Sequence, residues 1–108
     1  LQNDDNYKNI LQVLIQKRFK TTPVYKEITS YNEETGYHMG VYLCLGQQSH
    51  SLTHKKSTPF SIFGTFAAIE ELLKERNKIY IFLAESKHKI KKKAEQCACK
   101  KAIGKINK

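Results

Sequence analysis

The side chains best placed for chemistry are ammonium groups and amides. Lys87, Lys89, Lys91, Lys92 and Lys93 crowd into one short stretch. Residues 87–108 hold nine lysines against one acid, Glu95, so they carry 9 − 1 = +8 of the chain's net +9. Residues 1–86 therefore sum to only +1. A lysine ammonium is a compact point charge that attracts phosphate, and basic charge gathered at one place is the footprint of a nucleic-acid partner. Such a run is either a solvated helix face or a phosphate-binding surface. The second set is Asn9, Gln12 and Gln16, spaced i, i+3 and i+7, which puts three amides on one helical stripe. An amide both donates and accepts hydrogen bonds. This stripe is either ordinary helix surface or a recognition face for neutral polar groups.

Other chemistry is poorly provided for. The acids, Asp4, Asp5, Glu27, Glu33, Glu34, Glu70, Glu71, Glu75, Glu85 and Glu95, are scattered or in pairs, without the clustering that binds divalent metals for hydrolysis. No Ser/His/Asp or Cys/His nucleophile pattern and no glycine-rich phosphate loop is recognisable. His50-x-x-x-His54, with Cys44 upstream, has ligand residue types, but its Ser/Thr/Gln surroundings read as loop. Cys97 and Cys99 are two apart on a helix, so they diverge by about 200° and do not chelate one metal. No catalytic residue, metal or cofactor is expected in this chain.

The elements that must carry these groups can be read in order. The 108 residues make one domain with a modest core. Residues 1–6 read as the end of a linker, with Asp5 or Asn6 as a helix cap. A helix follows to about Phe19, with Tyr7, Ile10, Leu11, Leu14 and Arg18 at core spacing. Thr21-Thr22-Pro23 ends it. Val24–Tyr31 and Tyr37–Leu45 read as two hairpin strands. Thr58-Pro59 is expected to open a third helix running to about Arg76, with Ile62, Phe63, Phe66 and Leu73 on its apolar side. Ile79–Ala84 reads as a short strand and Glu85–Lys89 as a loop. In the closing helix Ile90, Ala94, Ala98 and Ala102 recur every four residues, and small side chains let a helix lie close to a sheet. No apolar run approaches the ~20 residues of a membrane span. Three cysteines suit a reducing, intracellular compartment, cytoplasmic or nuclear. With Met39 as its only methionine, the chain is expected to be a piece of something longer.

The order α-β-β-β-α, with these residues, resembles a double-stranded-RNA-binding domain of the kind that follows the catalytic domain in ribonuclease III enzymes. Three stretches carry the resemblance. Tyr7–Gln16 is similar to the family's first helix, and Pro23-Val24-Tyr25 to the Pro-x-Tyr that begins its first strand. Lys91-Lys92-Lys93-Ala94, with Cys97-Ala98 and Ala102-Ile103 behind it, is similar to the final-helix signature. The resemblance covers residues 6–46 and 78–106 and treats 47–77 as a helical insertion. It implies an α+β fold: a three-stranded antiparallel sheet over residues 7–106, with both terminal helices on one face.

It also implies a function, binding of double-stranded RNA by shape, as the RNA-binding part of a ribonuclease III-like endoribonuclease. Gln12 and Gln16, with Asn9 beside them, match minor-groove positions. His38 is nearest to a loop histidine that enters a second minor groove. Lys91 and Lys92, with Lys87 and Lys89 before them, supply the phosphate side. A-form RNA displays 2′-hydroxyls in a wide minor groove, and such domains span about 16 base pairs. The sequence departs from the pattern at several points. Val13 replaces an acid, Ile90 a capping serine and Glu95 a lysine, and the proline of the histidine loop is missing. Phe60, Phe63 and Phe66 in the insertion raise a second expectation. They either cover the open sheet face or form a protein-interaction or homodimer surface.

Overall fold

The computed structural model describes residues 6–107, so all but one residue of the expected 1–6 linker end lie outside it. The chain is α+β. Helix α1 (Tyr7–Phe19) is followed by strands β1 (Val24–Asn32), β2 (Gly36–Leu45) and β3 (Thr58–Pro59). Helix α2 (Phe66–Leu73), strand β4 (Ile79–His88) and helix α3 (Lys91–Ile106) complete it. The sheet has four strands, in the order β1-β2-β4-β3. Both β1 and β4 pair with β2 antiparallel, whereas β3 runs parallel to β4 through Thr58–Ile81 and Pro59–Phe82. This corrects the expected three-stranded antiparallel sheet.

The parallel pair explains the segment read as an insertion. Parallel neighbours need a crossover, and α2 lies in that crossover between β3 and β4. The expected single helix from Pro59 to Arg76 is instead a strand, a 3₁₀ turn at Phe60–Ile62 and the eight-residue α2. Gly64 breaks the run at φ +82°. Thr65 then restarts it, its side-chain oxygen accepting the Ala68 N–H at 3.1 Å. Phe60 and Phe66 are buried in the core, and Phe63 packs partly buried against it. Phe60 and Phe66 are thus core residues on the helix-covered side and do not cover the open sheet face.

The two faces of the sheet are closed differently. On one, Val41, Leu43, Ile79, Ile81 and Leu83 meet Leu11 and Ile15 of α1, Ala98, Cys99 and Ala102 of α3, and Phe60, Phe66 and Ile69. Ala94, Ala98 and Ala102 are fully buried, whereas Ile90 is 51 % exposed because it is the N-cap, outside the helix. In α1 the fully buried pair is Leu11 and Ile15, and Ile10 faces outward. Truncating Leu11 to Ala would cost about 2–5 kcal/mol. On the other face Tyr42, Cys44 and Tyr80 form a second cluster with Val24, Leu52 and Phe82. The loop after β2 straps across it. The Lys26 ammonium donates to the carbonyls of Ser49 and Leu52, and the Tyr42 hydroxyl meets His54 Nδ1 at 2.8 Å.

Candidate functional site

The lysine turn is built where a strand hands over to a helix. β4 runs on to His88, through residues whose polarity reads as loop in the sequence, because Tyr37–Gly40 of β2 pair with Glu85–His88. Two residues later α3 begins. Its N-cap, Ile90, offers no side-chain oxygen and leaves the first turn without a side-chain cap, while His88 Nδ1 accepts the N–H of Ile90 itself at 2.9 Å. Lys91, Lys92 and Lys93 follow, all exposed, and no acid stands in the first turn. Helix stability alone favours acids here, because the first turn carries the positive end of the helix dipole; a misplaced charge costs about 0.3–1 kcal/mol at low salt. Three ammoniums beside unpaired N–H groups thus form a locally unfavourable cluster that an anion would relieve.

The flanking lysines differ in freedom. Lys87 is exposed on β4. Lys89 is exposed too, but its ammonium donates to the carbonyl of Glu33 in the β1–β2 turn. That turn is pressed against the β4–α3 junction. Gly36 has φ +87°, and a Cβ there would lie 2.3 Å from the His88 carbonyl oxygen. Only glycine combines that conformation with that approach.

His38 is not brought to the surface with these groups. It lies within β2, its side chain 11 % exposed. Nε2 donates to the Glu85 carboxylate and Nδ1 shares a 3.0 Å hydrogen bond with the Thr29 hydroxyl. Both ring nitrogens are occupied inside the sheet, and the turn tip is formed by Glu33, Glu34 and Thr35 instead. Asn32 Oδ1 shapes that tip by accepting the N–H groups of Glu34 and Thr35 at 2.7 and 3.2 Å.

The amides Asn9, Gln12 and Gln16 are all exposed on α1, around Val13, which is 55 % exposed. The flank of α1 beside this row is locked to α3. The backbone N–H of Lys8 donates to Gln96 Oε1 at 3.0 Å, and the Lys8 ammonium meets Glu95 at 2.6 Å. That ammonium also lies 4.6 Å from the centre of the Tyr25 ring, and Lys100 lies 5.5 Å from that of Tyr7. At the far end Leu14, Lys17 and Arg18 share a cavity with Ile106 and Asn107. The two helices therefore run in the same direction, with the lysine turn at the end where α1 begins. Arg18 also holds α2, donating to both carboxylate oxygens of Glu70 at 2.7 and 3.2 Å.

Two features change the reading of the charge. Glu95, the single acid of the closing stretch, is paired with Lys8 and so does not neutralise Lys91–Lys93. Gln96, 8 % exposed, is a buried capping group for α1. Sequence reasoning passes over it because it looks like helix surface; its one signal is an amide next to the Ala/Cys stripe. The buried thiol of that stripe is Cys99, which meets the Tyr25 hydroxyl at 3.3 Å, and burial pushes its pKa up. Among the described residues no three His, Cys, Asp or Glu side chains are grouped as a metal site, and no helix is long and apolar enough to cross a membrane. No family model matches the chain, and neither a curated protein nor a solved structure does.

Proposed function

We propose that this chain binds double-stranded RNA by shape, with the α1 amides directed at the minor groove and the ammoniums at the head of α3 directed at phosphates. The observation that carries this reading is Lys91–Lys93. They are exposed, uncompensated by any acid in their turn and placed at the wrong end of a helix for stability, on a helix that also fixes a row of neutral amides. Ammoniums suit phosphates, and neutral amides suit 2′-hydroxyls and base edges. A general basic surface would account for the charge but not for three adjacent ammoniums in the first turn of a helix, where no acid accompanies them. In this reading Gln12, Gln16 and Asn9 recognise, while Lys91, Lys92 and Lys87 anchor. Lys89 braces the β1–β2 turn against this junction through the Glu33 carbonyl. The chain itself performs no chemistry and serves as the RNA-binding part of a ribonuclease III-like endoribonuclease in a reducing compartment.

The test is competition among a 20-base-pair RNA duplex, the same-sequence DNA duplex and single-stranded RNA, at several salt concentrations. The RNA duplex should win at every salt, and its affinity should fall as salt rises. Equal binding of the two duplexes would leave only non-specific polyanion attraction.

A further inference from the structure

Two side chains of α3 that face α1 rather than solvent do more than pack. Gln96 Oε1 accepts the Lys8 N–H, one of the first-turn donors that a helix leaves without an internal partner. Asn6, at the N-cap, makes no side-chain cap bond, so α3 supplies a cap that α1 lacks. Glu95 holds the Lys8 ammonium at 2.6 Å with its side chain only 13 % exposed. The same ammonium rests on the Tyr25 ring, whose hydroxyl meets Cys99. One residue of α1 is thus gripped at its backbone and at its side chain by consecutive residues of α3. Those residues lie one turn beyond Lys91 and Lys92.

We propose that Gln96 and Glu95 are positioning residues: through Lys8 they set the placement of the α1 amide row relative to the lysine turn of α3. This rests on the RNA-binding reading above. A groove interface read by shape needs its contact groups held at a fixed spacing. A hydrophobic contact alone, Leu11 and Ile15 on alanines, permits sliding, whereas a buried hydrogen bond and an ion pair define one placement.

Charge and position make opposite forecasts at Glu95. Replacing it with Ala adds one net positive charge beside the lysines, so electrostatics alone would tighten RNA binding. Positioning requires E95A to bind the RNA duplex more weakly, roughly threefold to tenfold, the effect expected from the removal of one or two hydrogen bonds. It also requires the RNA-over-DNA preference to shrink. Q96L, which keeps the shape but removes the acceptor, should do the same without changing the salt slope, because Lys91 and Lys92 are untouched. Q96E restores an acceptor and should recover the preference. Amide NMR spectra and residual dipolar couplings of α1 and α3 in the absence of RNA should show an altered interhelical orientation in Q96L and E95A, within a sheet that stays intact. Tighter or unchanged RNA binding by E95A, or an unaltered α1 orientation, overturns the proposal. If the wild-type protein shows no duplex preference, the functional reading fails, while the dipolar couplings still report on positioning.

Discussion

Replacing Lys91 and Lys92 together with Ala is the sharpest perturbation of the lysine turn. Both are exposed, and neither engages another described residue. Lys8, Lys89 and Lys105, by contrast, spend their ammoniums on Glu95, the Glu33 carbonyl and the Leu83 carbonyl. Each phosphate left without its ammonium should flatten the slope of log K against log salt by about 0.9, by analogy with duplex DNA. Two such phosphates make about 1.8. Across a fourfold rise in salt, from roughly 50 to 200 mM, the wild type should therefore lose about twelvefold more affinity than the double variant. Fluorescence anisotropy with a labelled RNA duplex over that range reads the slope directly. The control is K55A/K56A, which removes the same charge from the short 3₁₀ turn His54–Lys56 on the strap over the other sheet face. Folding is not an obstacle, because removing cations from the first turn of α3 relieves an unfavourable dipole interaction, and the variant should be as stable as the wild type or slightly more so. An equal flattening in both double variants, or none in K91A/K92A, would refute the assignment of phosphate binding to the head of α3.

Three further outcomes concern the scaffold. The Tyr80 hydroxyl is buried in the second cluster without a hydrogen-bond partner among the described residues, so Y80F should raise stability by about 1 kcal/mol in urea unfolding, and a destabilised variant would contradict that environment. Gly36 and Gly104 should respond in opposite directions to alanine. G36A meets the His88 carbonyl at positive φ and should lower stability by more than about 1 kcal/mol, whereas G104A adds a methyl in open space on α3 and should raise it by about 0.5–1 kcal/mol. The Arg18 guanidinium holds the Glu70 carboxyl below its usual range. That contribution is present above the unfolded glutamate value of about 4.3 and is lost as pH falls through the lowered one. Stability measured from pH 7 to pH 2 should show the wild type and E70Q converging at the acid end; a gap that stays constant would mean that the pair contributes nothing.

The elements legible in the sequence are those in which local signals agree. α1 ends where Thr21-Thr22-Pro23 stops it, and Lys20 closes it in the left-handed region at φ 60°. Both hairpin strands lie where β-branched and aromatic residues gather. α2 reads too long because Phe60, Phe63 and Phe66, three apart, fit a 3₁₀ turn as well as an α-helix face, and Phe60 opens such a turn while Phe63 closes it. Gly64-Thr65 is the available signal: a breaker followed by a cap. β3 cannot be read from two residues, since it exists only because Ile81 and Phe82 offer it a partner. The polar end of β4 is hidden for the same reason. Glu85–His88 is a strand by pairing, with Glu85 and Lys87 exposed, and carries little apolar signal of its own.

The site divides along the same line. Lys91–Lys93 are visible in the chain because they violate a folding preference, and a local violation that survives in a well-packed helix points to something outside the fold. His38 illustrates the opposite case. In the chain it is a polar residue after a turn, free to reach a ligand. In the sheet its cross-strand surroundings, Thr29 on one side and Glu85 on the other, occupy both nitrogens. Gln96 reverses again, from apparent helix surface to the group that caps a neighbouring helix. Charge clusters announce themselves because they act at long range and need no particular partner. Hydrogen-bonding side chains do not, because their role is set by which donor or acceptor the tertiary fold delivers within about 3 Å. In the proposed reading the ammoniums are therefore the part of the surface visible in the sequence, whereas the part played by the amides depends on the placement of α1, which α3 contacts at Lys8.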